Sequence, residues 1–399
     1  MRILYHHRTQ AEDAQGIHIV EMVRAFQNLG HEVKIVALVK PNGISPGGTR
    51  KYLSKYLLRL IPKWLYEILG FAYNIYGYWS LGHAIKAKRP NLIYERYALN
   101  TFCGIWAAKR FGIPLVLEVN APLWYEQSKL GRLRFERLAR FSERWICSHA
   151  SWTVVVSNVM KNLLIREGVP DERLIVMPNG IDPHRFHPNV CGQFIRRRYG
   201  LDDKQVIGFV GWFRRWHGLE MLLQLMHEAN LAERNVRLLL VGDGPAYSEL
   251  RRYAEEQNLL PAVIFTGPVK QEEVPAHIAA MDIAVQPKAT EYACPMKLFE
   301  YMAMRKCVVA PDQPNIREII QDKSTGCLFE PGNKKSLRMA LSQMLTNPER
   351  RNAISHNASK YIVDHGFLWR TNAERVISLV SCNSAGPEVQ FRSERKSPE

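Results

Sequence analysis

Between Glu291 and Glu300 the sequence reads EYACPMKLFE, which holds an acid at each end, a proline in the middle and Lys297 three residues before the second acid. The preceding run, DIAVQPKAT, has the continuous apolar character of a buried strand, and KLFEYMAM after it has helical periodicity. The stretch is therefore a strand-to-helix junction. A helix N-terminus offers unpaired peptide N–H groups and the positive end of the helix dipole, both of which suit an anion. Lys297 adds a charge that can compensate a phosphate. Glu300, on the first or second turn, can accept hydrogen bonds from a vicinal diol such as a ribose.

Two glycine-rich turns repeat this arrangement. GFVGWFRRWHG, Gly208 to Gly218, follows a strand pattern and places Arg214, Arg215 and His217 ahead of the helical segment LEMLLQLM, so cations and a helix start converge as a diphosphate requires. VRLLLVGDGP, ending at Pro245, is a strand, a turn whose Gly242 and Gly244 allow backbone to approach a ligand closely, and a proline suited to the first helical position. Gly16, in AEDAQGIH between the first strand and the first helix, would give the same backbone freedom. His6 and His7 end the first strand and either line a pocket or pack. No GxxxxGK[ST] phosphate loop, nucleophile elbow or dependable pair of catalytic carboxylates occurs.

Such junctions need a parallel sheet to position them, because ligands in open α/β sheets sit beyond the carboxyl ends of the strands. RILYHH, VKIVALV, LIYER, PLVLEVN and WTVVVS alternate with helical patterns, and QVIGFVG, VRLLLVGDG, AVIFTG, DIAVQP, KCVVA and GCLFE do so again after residue 190. The fold class is α/β, with two doubly wound Rossmann-like domains facing a cleft. Residues 1–185 form the first domain and 190–365 the second, joined through the turn-rich VMPNGIDPHRFHPNV. A helix over 366–382 crosses back to the first domain, and 383–399 form a disordered tail.

The 399 residues carry 54 Lys+Arg against 38 Asp+Glu, a net charge of +16 that favours anionic partners. Seven scattered cysteines without a CxxC pair argue against a disulfide framework or a zinc site and fit a reducing cytoplasm. The N-terminal run is too short for an export signal. The segment from Arg50 to Arg89 mixes aromatic and basic residues but is interrupted too often to span a membrane; it reads either as a pair of packed helices or as a basic amphipathic surface resting on anionic lipid. No groove-reading helix or RNA-binding aromatic motif points to a specific nucleic acid.

Taken in order, VMPNGIDPHRF, VGWFRRWHG, VGDGP, FTGPV and PMKLFEYMA resemble the retaining glycosyltransferases of family 4, the group 1 glycosyl transferases with the GT-B fold, and GIHIVEMVRAFQNLGHEVKIV resembles that family's first βα unit. The resemblance implies a nucleotide-sugar donor held by the second domain and a glycan or lipid-linked acceptor held by the first. It also implies transfer with retention, no metal and no cofactor, and a leaving phosphate that itself takes the acceptor proton. It assigns Glu300 to the ribose hydroxyls, the amides of Met296 to Leu298 to the donor sugar and phosphates, and main chain near Val269 to the base.

The sequence departs from the family pattern at four places. Tyr292 stands where the first acid belongs, so Glu291 fills that role shifted by one residue or the role is altered. Trp212 and His217 replace the arginine and lysine of the glycine loop, leaving Arg214 or Arg215 to supply charge. Asn120 stands where a first-domain histidine contacts the sugar. The catalytic candidates are thus Glu291, Arg215 and His217, and the donor-binding candidates Gly16, Asn120, Arg214, Gly242, Gly244, Val269, Tyr292, Met296, Lys297, Leu298 and Glu300. Work on polysaccharide or glycolipid assembly at the inner face of a membrane follows as the functional expectation, with a nucleotide-sugar epimerase of the same fold as the alternative.

Overall fold

A computed structural model describes residues 1–9, 14–38 and 62–382. The expected tail over 383–399 and the first part of the aromatic insertion, 50–61, lie outside these.

The first half alternates strands and helices: β1 (Arg2–His7), α1 (Ala14–Asn28), β2 (Glu32–Ala37), α2 (Lys63–Ala87), β3 (Leu92–Arg96), α3 (Cys103–Phe111), β4 (Leu115–Val119), α4 (Leu123–Lys129), α5 (Glu136–His149), β5 (Trp152–Val155), α6 (Asn158–Arg166) and β6 (Leu174–Val176). The second half continues with α7 (Gln193–Arg198), β7 (Gln205–Val210), α8 (Leu219–Glu228), β8 (Val236–Val241), α9 (Tyr247–Glu256), β9 (Val263–Phe265), α10 (Val274–Ala279), β10 (Ile283–Val285), α11 (Met296–Ala303), β11 (Cys307–Pro311), α12 (Pro314–Arg317), β12 (Cys327–Phe329), α13 (Lys334–Thr346), α14 (Pro348–Asp364) and α15 (Trp369–Cys382).

The strands form two six-stranded sheets in the orders β2-β1-β3-β4-β5-β6 and β12-β11-β10-β7-β8-β9, and the paired strands run parallel. Parallel pairing needs helical crossovers that cover both faces, which is why β3 and β4 are buried along their whole length. Alternation along each strand divides the core into two layers per sheet. In β7 and β8, Ile207, Phe209, Leu238 and Leu240 pack on one face and Val206, Val210, Leu239 and Val241 on the other. Each such side chain removed from water contributes about 1.5–3 kcal/mol.

Register places charge where these apolar strands end. His6 in β1 lies beside Glu95 in β3, and Arg96 in β3 lies beside Glu118 in β4. Both pairs are buried.

The chain crosses between the halves twice, and the crossings run side by side. Ile181 N–H donates to Phe367 C=O at 3.0 Å, and Trp369 N–H donates to Ile181 C=O at 3.3 Å. A side chain at Gly180 would begin 2.4 Å from the Trp369 backbone nitrogen, so this approach requires glycine. From there α15 packs on α1, with Trp369 edge-on to His18 at 4.6 Å.

One expectation needs correction: Gly16 lies in the first turn of α1 rather than in the preceding loop, because the helix begins at Ala14. The described part of the insertion, 62–89, carries one continuous 25-residue helix, α2, its glycines tolerated inside the helix, and the rest of the expected helical pair lies outside the described residues.

Replacing Trp369 by Ala should lower the free energy of unfolding by about 3–5 kcal/mol, the usual cost of deleting a buried aromatic. Urea titration followed by circular dichroism measures this, and Trp369→Phe should recover most of it.

Candidate functional site

The second sheet offers its glycine turns at the carboxyl ends of β7 and β8. Gly242 has φ +130°, and a side chain there would begin 2.1 Å from the Gly211 carbonyl oxygen, so the two turns interlock through bare backbone. Gly211 N–H donates to Val241 C=O at 3.0 Å and Gly242 N–H to Gly267 C=O at 3.1 Å, which draws FTGPV alongside. Val269 is half-buried against the core beneath this turn, and Gly244 approaches Phe213 from the same side.

Lys297 enters this floor from the first turn of α11. Its Nζ lies 3.9 Å from the centre of the Phe209 ring, and a side chain at Gly211 would begin 2.9 Å from it. The ammonium rests on an aromatic face, a cation–π contact, and no carboxylate among the described residues forms an ion pair with it. Burial pushes its pKa down to about 7, opposed by the charge of Glu300. Glu300 is pushed up to about 7, first by burial, against the pull of Lys297 and Arg185 and with Glu21 adding repulsion. The helix has no side-chain cap and no acid in its first turn, so the N–H groups of Met296 and Lys297 have no intrahelical acceptor.

The remaining candidates divide clearly. His217 packs against Phe209 with ring centres 5.3 Å apart, and burial, Lys297 and Arg214 push its pKa down to about 2, so it stays neutral. Arg214 lies over the Trp216 ring at 4.9 Å, still close enough to His217 to affect it. Arg215 is not brought to the site: 84% of its side chain is exposed, and its guanidinium pairs with Glu249 on α9 at 3.0 Å. Leu298 is fully buried and its N–H donates to Pro295 C=O at 3.1 Å, so the amide expected to face a ligand is already taken.

Tyr292 joins the halves instead of facing a ligand. Its hydroxyl hydrogen-bonds to the Glu126 carboxylate on α4, and its carbonyl accepts from Ser157 Oγ at 3.0 Å. Glu291 is exposed, with Lys129 of α4 within electrostatic reach. Met296 packs against the core around α1 and β1. Across the same boundary, Glu318 accepts from Asn158 N–H at 2.8 Å and Val159 N–H at 3.2 Å, and Arg185 donates to Gln271 C=O at 3.1 Å while also bonding Glu21 on its own side at 2.7 Å.

The first sheet holds a cavity of about 230 Å³ at its strand ends, lined in part by Arg8, Gly70, Arg96, Asn120 and Arg132. Glu118 is its charged centre: Arg96 donates to it at 2.5 Å, Tyr94 hydroxyl donates at 2.8 Å, Asn120 donates from its amide, and His18 lies 3.3 Å away. Burial opposes the charge on Glu118, but His18, Arg96 and these donors together hold its carboxyl below the ordinary range. His18 itself is pushed down to about 4 by burial. Of the two terminal histidines, His6 is satisfied by Glu95 and Tyr73, both at 2.9 Å, while His7 is pushed down to about 4 by burial and its Nε2 has no hydrogen-bond partner among the described residues. Arg8, Arg96 and Glu118 were missed as candidates, although a charge closing the apolar runs LIYER and LEVN was there to be read.

Lys297 has the folded-state pKa of a disfavoured cation, so its cost to stability is fully present below pH 7 and fades as pH rises toward the unfolded value. Lys297→Met should therefore raise the thermal midpoint most between pH 5 and pH 7, by about 2–4 °C for each kcal/mol relieved, with the gain shrinking steadily as pH rises above 7; scanning calorimetry across pH checks this.

Comparison with known proteins bears on both halves. The family described as Glycosyltransferase Family 4 matches residues 15–185, and Glycosyl transferases group 1 matches residues 193–361. Alpha-D-kanosaminyltransferase of Streptomyces kanamyceticus is 26% identical over 264 residues, which is 62% of this chain and 65% of that protein, a little under two thirds of its length. A GDP-mannose-dependent alpha-mannosyltransferase of Mycobacterium tuberculosis is 27% identical over 320 residues, 79% of either chain. Among solved structures, sucrose-phosphate synthase of Thermosynechococcus elongatus superposes with a TM-score of 0.72 at 18% identity over 96% of this chain and 100% of that one. HepE of Anabaena in complex with UDP does so with a TM-score of 0.71 at 18% identity and the same coverage. At such identities the likeness speaks for the fold. With matches running from residue 15 to residue 361 over two parallel six-stranded sheets, the chain belongs to the group 1 glycosyl transferases of family 4 and has their GT-B fold.

Proposed function

We propose that this chain is a retaining glycosyltransferase that moves a sugar from a nucleotide-sugar donor, bound over the glycine turns of the second sheet, to a polysaccharide or lipid-linked acceptor held at the cavity of the first. The observation that carries the reading is Lys297, a cation held on an aromatic ring beside Gly211 without a protein counter-ion. A half-buried charge without a partner is costly in a folded protein, and a ligand anion removes that cost. Relatives named as GDP-mannose-dependent transferases and a like-folded protein in complex with UDP support a nucleoside diphosphate as that anion. The relatives compared are transferases, and nothing in the site favours the epimerase alternative.

In this reading the nucleoside diphosphate leaves the anomeric carbon and carries the developing negative charge. Lys297, Arg214 and the opening amides of α11 meet that charge, so no metal is called for. Glu300, one turn further on, accepts from the ribose hydroxyls. His217 serves as a neutral prop for the Phe209 ring, and Arg215 contributes only to the surface. Glu291 is exposed beside Lys129 at the junction, while Tyr292 ties the two halves together. A cytoplasmic setting is supported by the free cysteines among the described residues, Cys103, Cys147, Cys191, Cys294, Cys307 and Cys327.

Lys297→Met should lower kcat/KM by about 10²-fold, in line with removing one preorganised donor from a developing anion. Glu300→Ala should weaken nucleoside diphosphate binding without altering the circular dichroism spectrum. Because the bound anion raises the pKa of Lys297, binding at pH 8 should take up a proton, measurable by titration calorimetry in buffers of different ionisation enthalpy, and Lys297→Met should abolish the uptake. Undiminished turnover in both variants would overturn the site assignment.

A further inference from the structure

We propose that the second domain carries a separate binding site for a small apolar carboxylate, an aryl or short alkyl acid, in a cavity between α8 and α13 at the amino ends of β7 and β8. The site lies at the opposite edge of the sheet from the glycine turns, so it goes beyond the transferase reading and does not depend on it.

The cavity follows from how the two helices meet. Lys334 at the start of α13 bonds Glu228 near the end of α8 and reaches Gln224 at 3.5 Å, which clasps the helices together. One turn beyond the clasp their side chains no longer fill the space between them, and a cavity of about 220 Å³ opens. On α13 it is lined by Arg338, Leu341, Ser342 and Leu345, the spacing of a single helix face. On α8 it is lined by Leu225 and Ala229, one turn apart, and Val236 at the start of β8 closes the floor. Leu225, Val236 and Leu341 are each exposed by no more than 2%, so the inner wall is part of the hydrophobic core. Side chains that border a void forfeit dispersion contacts on that side, and an apolar guest restores them. An apolar cavity of about 150 Å³ takes up benzene. The larger space here has room for such a ring with a short chain attached.

The mouth of the cavity is cationic. Arg338 on α13 and Arg234 in the turn between α8 and β8 both line it and are both exposed, and no Asp or Glu is among the lining residues. Neither arginine forms an ion pair among the described residues. The acid nearest in the helix pair, Glu228, is taken by Lys334. The turn that carries Arg234 is held in place, because the N–H groups of Arg234 and Val236 both donate to Leu231 C=O, at 3.2 Å and 3.1 Å. Ser342 adds a hydroxyl one turn along from Arg338. A guanidinium group pairs a carboxylate through two parallel N–H donors, so the mouth suits the head of the guest as the floor suits its body. A wholly apolar molecule would leave the arginines unused. A nucleoside diphosphate would have to bury polar groups against a floor that offers them no hydrogen bonds.

Distance keeps this site apart from the nucleotide. Gln205 and Val236 open β7 and β8 at the cavity, and Gly211 and Gly242 follow the last residues of the same six-residue strands. The strands place about 17 Å between the two edges. Both sites can therefore be filled at once.

Titration calorimetry of the full chain with phenylpropionate, its neutral amide and acetate provides the test. Phenylpropionate should bind and raise the thermal midpoint as its concentration increases, as expected of a ligand that binds only the folded state. The amide should bind at least tenfold more weakly and acetate not measurably. Arg234→Gln and Arg338→Gln should each weaken phenylpropionate several-fold, leave the amide unchanged and leave the midpoint of the free protein where it was. Ala229→Leu, which puts a side chain into the space, should abolish binding of both. Saturating UDP should not alter the affinity for phenylpropionate. Equal affinity for acid and amide, undiminished binding in Ala229→Leu, displacement by UDP, or no binding of phenylpropionate at millimolar concentration would each overturn the site, whereas the transferase reading stands or falls on the binding of UDP itself.

Discussion

An ammonium placed over a phenyl ring, in no ion pair among the described residues, is the constraint around which the second half of this molecule is organised. Lys297 can lie there only because Gly211 has no side chain and Gly242 brings its backbone against the same carbonyl. The turns in turn depend on the parallel register of β7 and β8, which delivers both glycines to one edge of the sheet. Phe209 on one side and His217 beyond it provide an uncharged bed. Lys297 stands in no ion pair there among the described residues, and an imbalance of that kind suits an anion.

The first half solves the opposite problem. Its strand ends carry ionic groups buried to a few per cent, and two of them are answered within the protein: His6 by Glu95, Arg96 by Glu118. Register alone brings these pairs together, because neighbouring strands set the residues side by side. A satisfied network of this kind gives a rigid wall. Arg8 and Arg132 are left at its rim, neither in an ion pair among the described residues.

The sequence was most legible where period and position carry the meaning. Alternating strand and helix patterns located eleven of the strands, and the glycine turns and the Lys297 junction were found because a strand, a turn and a helix start must follow one another. It was least legible where residues far apart in the chain meet. Nothing in EYACP says that Tyr292 will bond Glu126, or that Glu318 will close the start of α6, since those contacts depend on how two sheets pack. Arg215 misled for a related reason: three cations in four residues suggested convergence, but a 3₁₀ turn over Arg215–His217 fans them apart and Glu249 draws one outward. Gly16 misled because glycine early in a helix resembles glycine before one.

The paired crossings at Ile181 and Leu368 have a mechanical consequence. Two strands of chain joined by hydrogen bonds at one point make an axle: the halves can rotate about it, but they cannot slide past one another without tearing Gly180 from the start of α15. The floor holding Lys297 and the wall holding Glu118 are thereby tethered at one shared point, so a change of backbone at Gly180 would be felt in both halves at once.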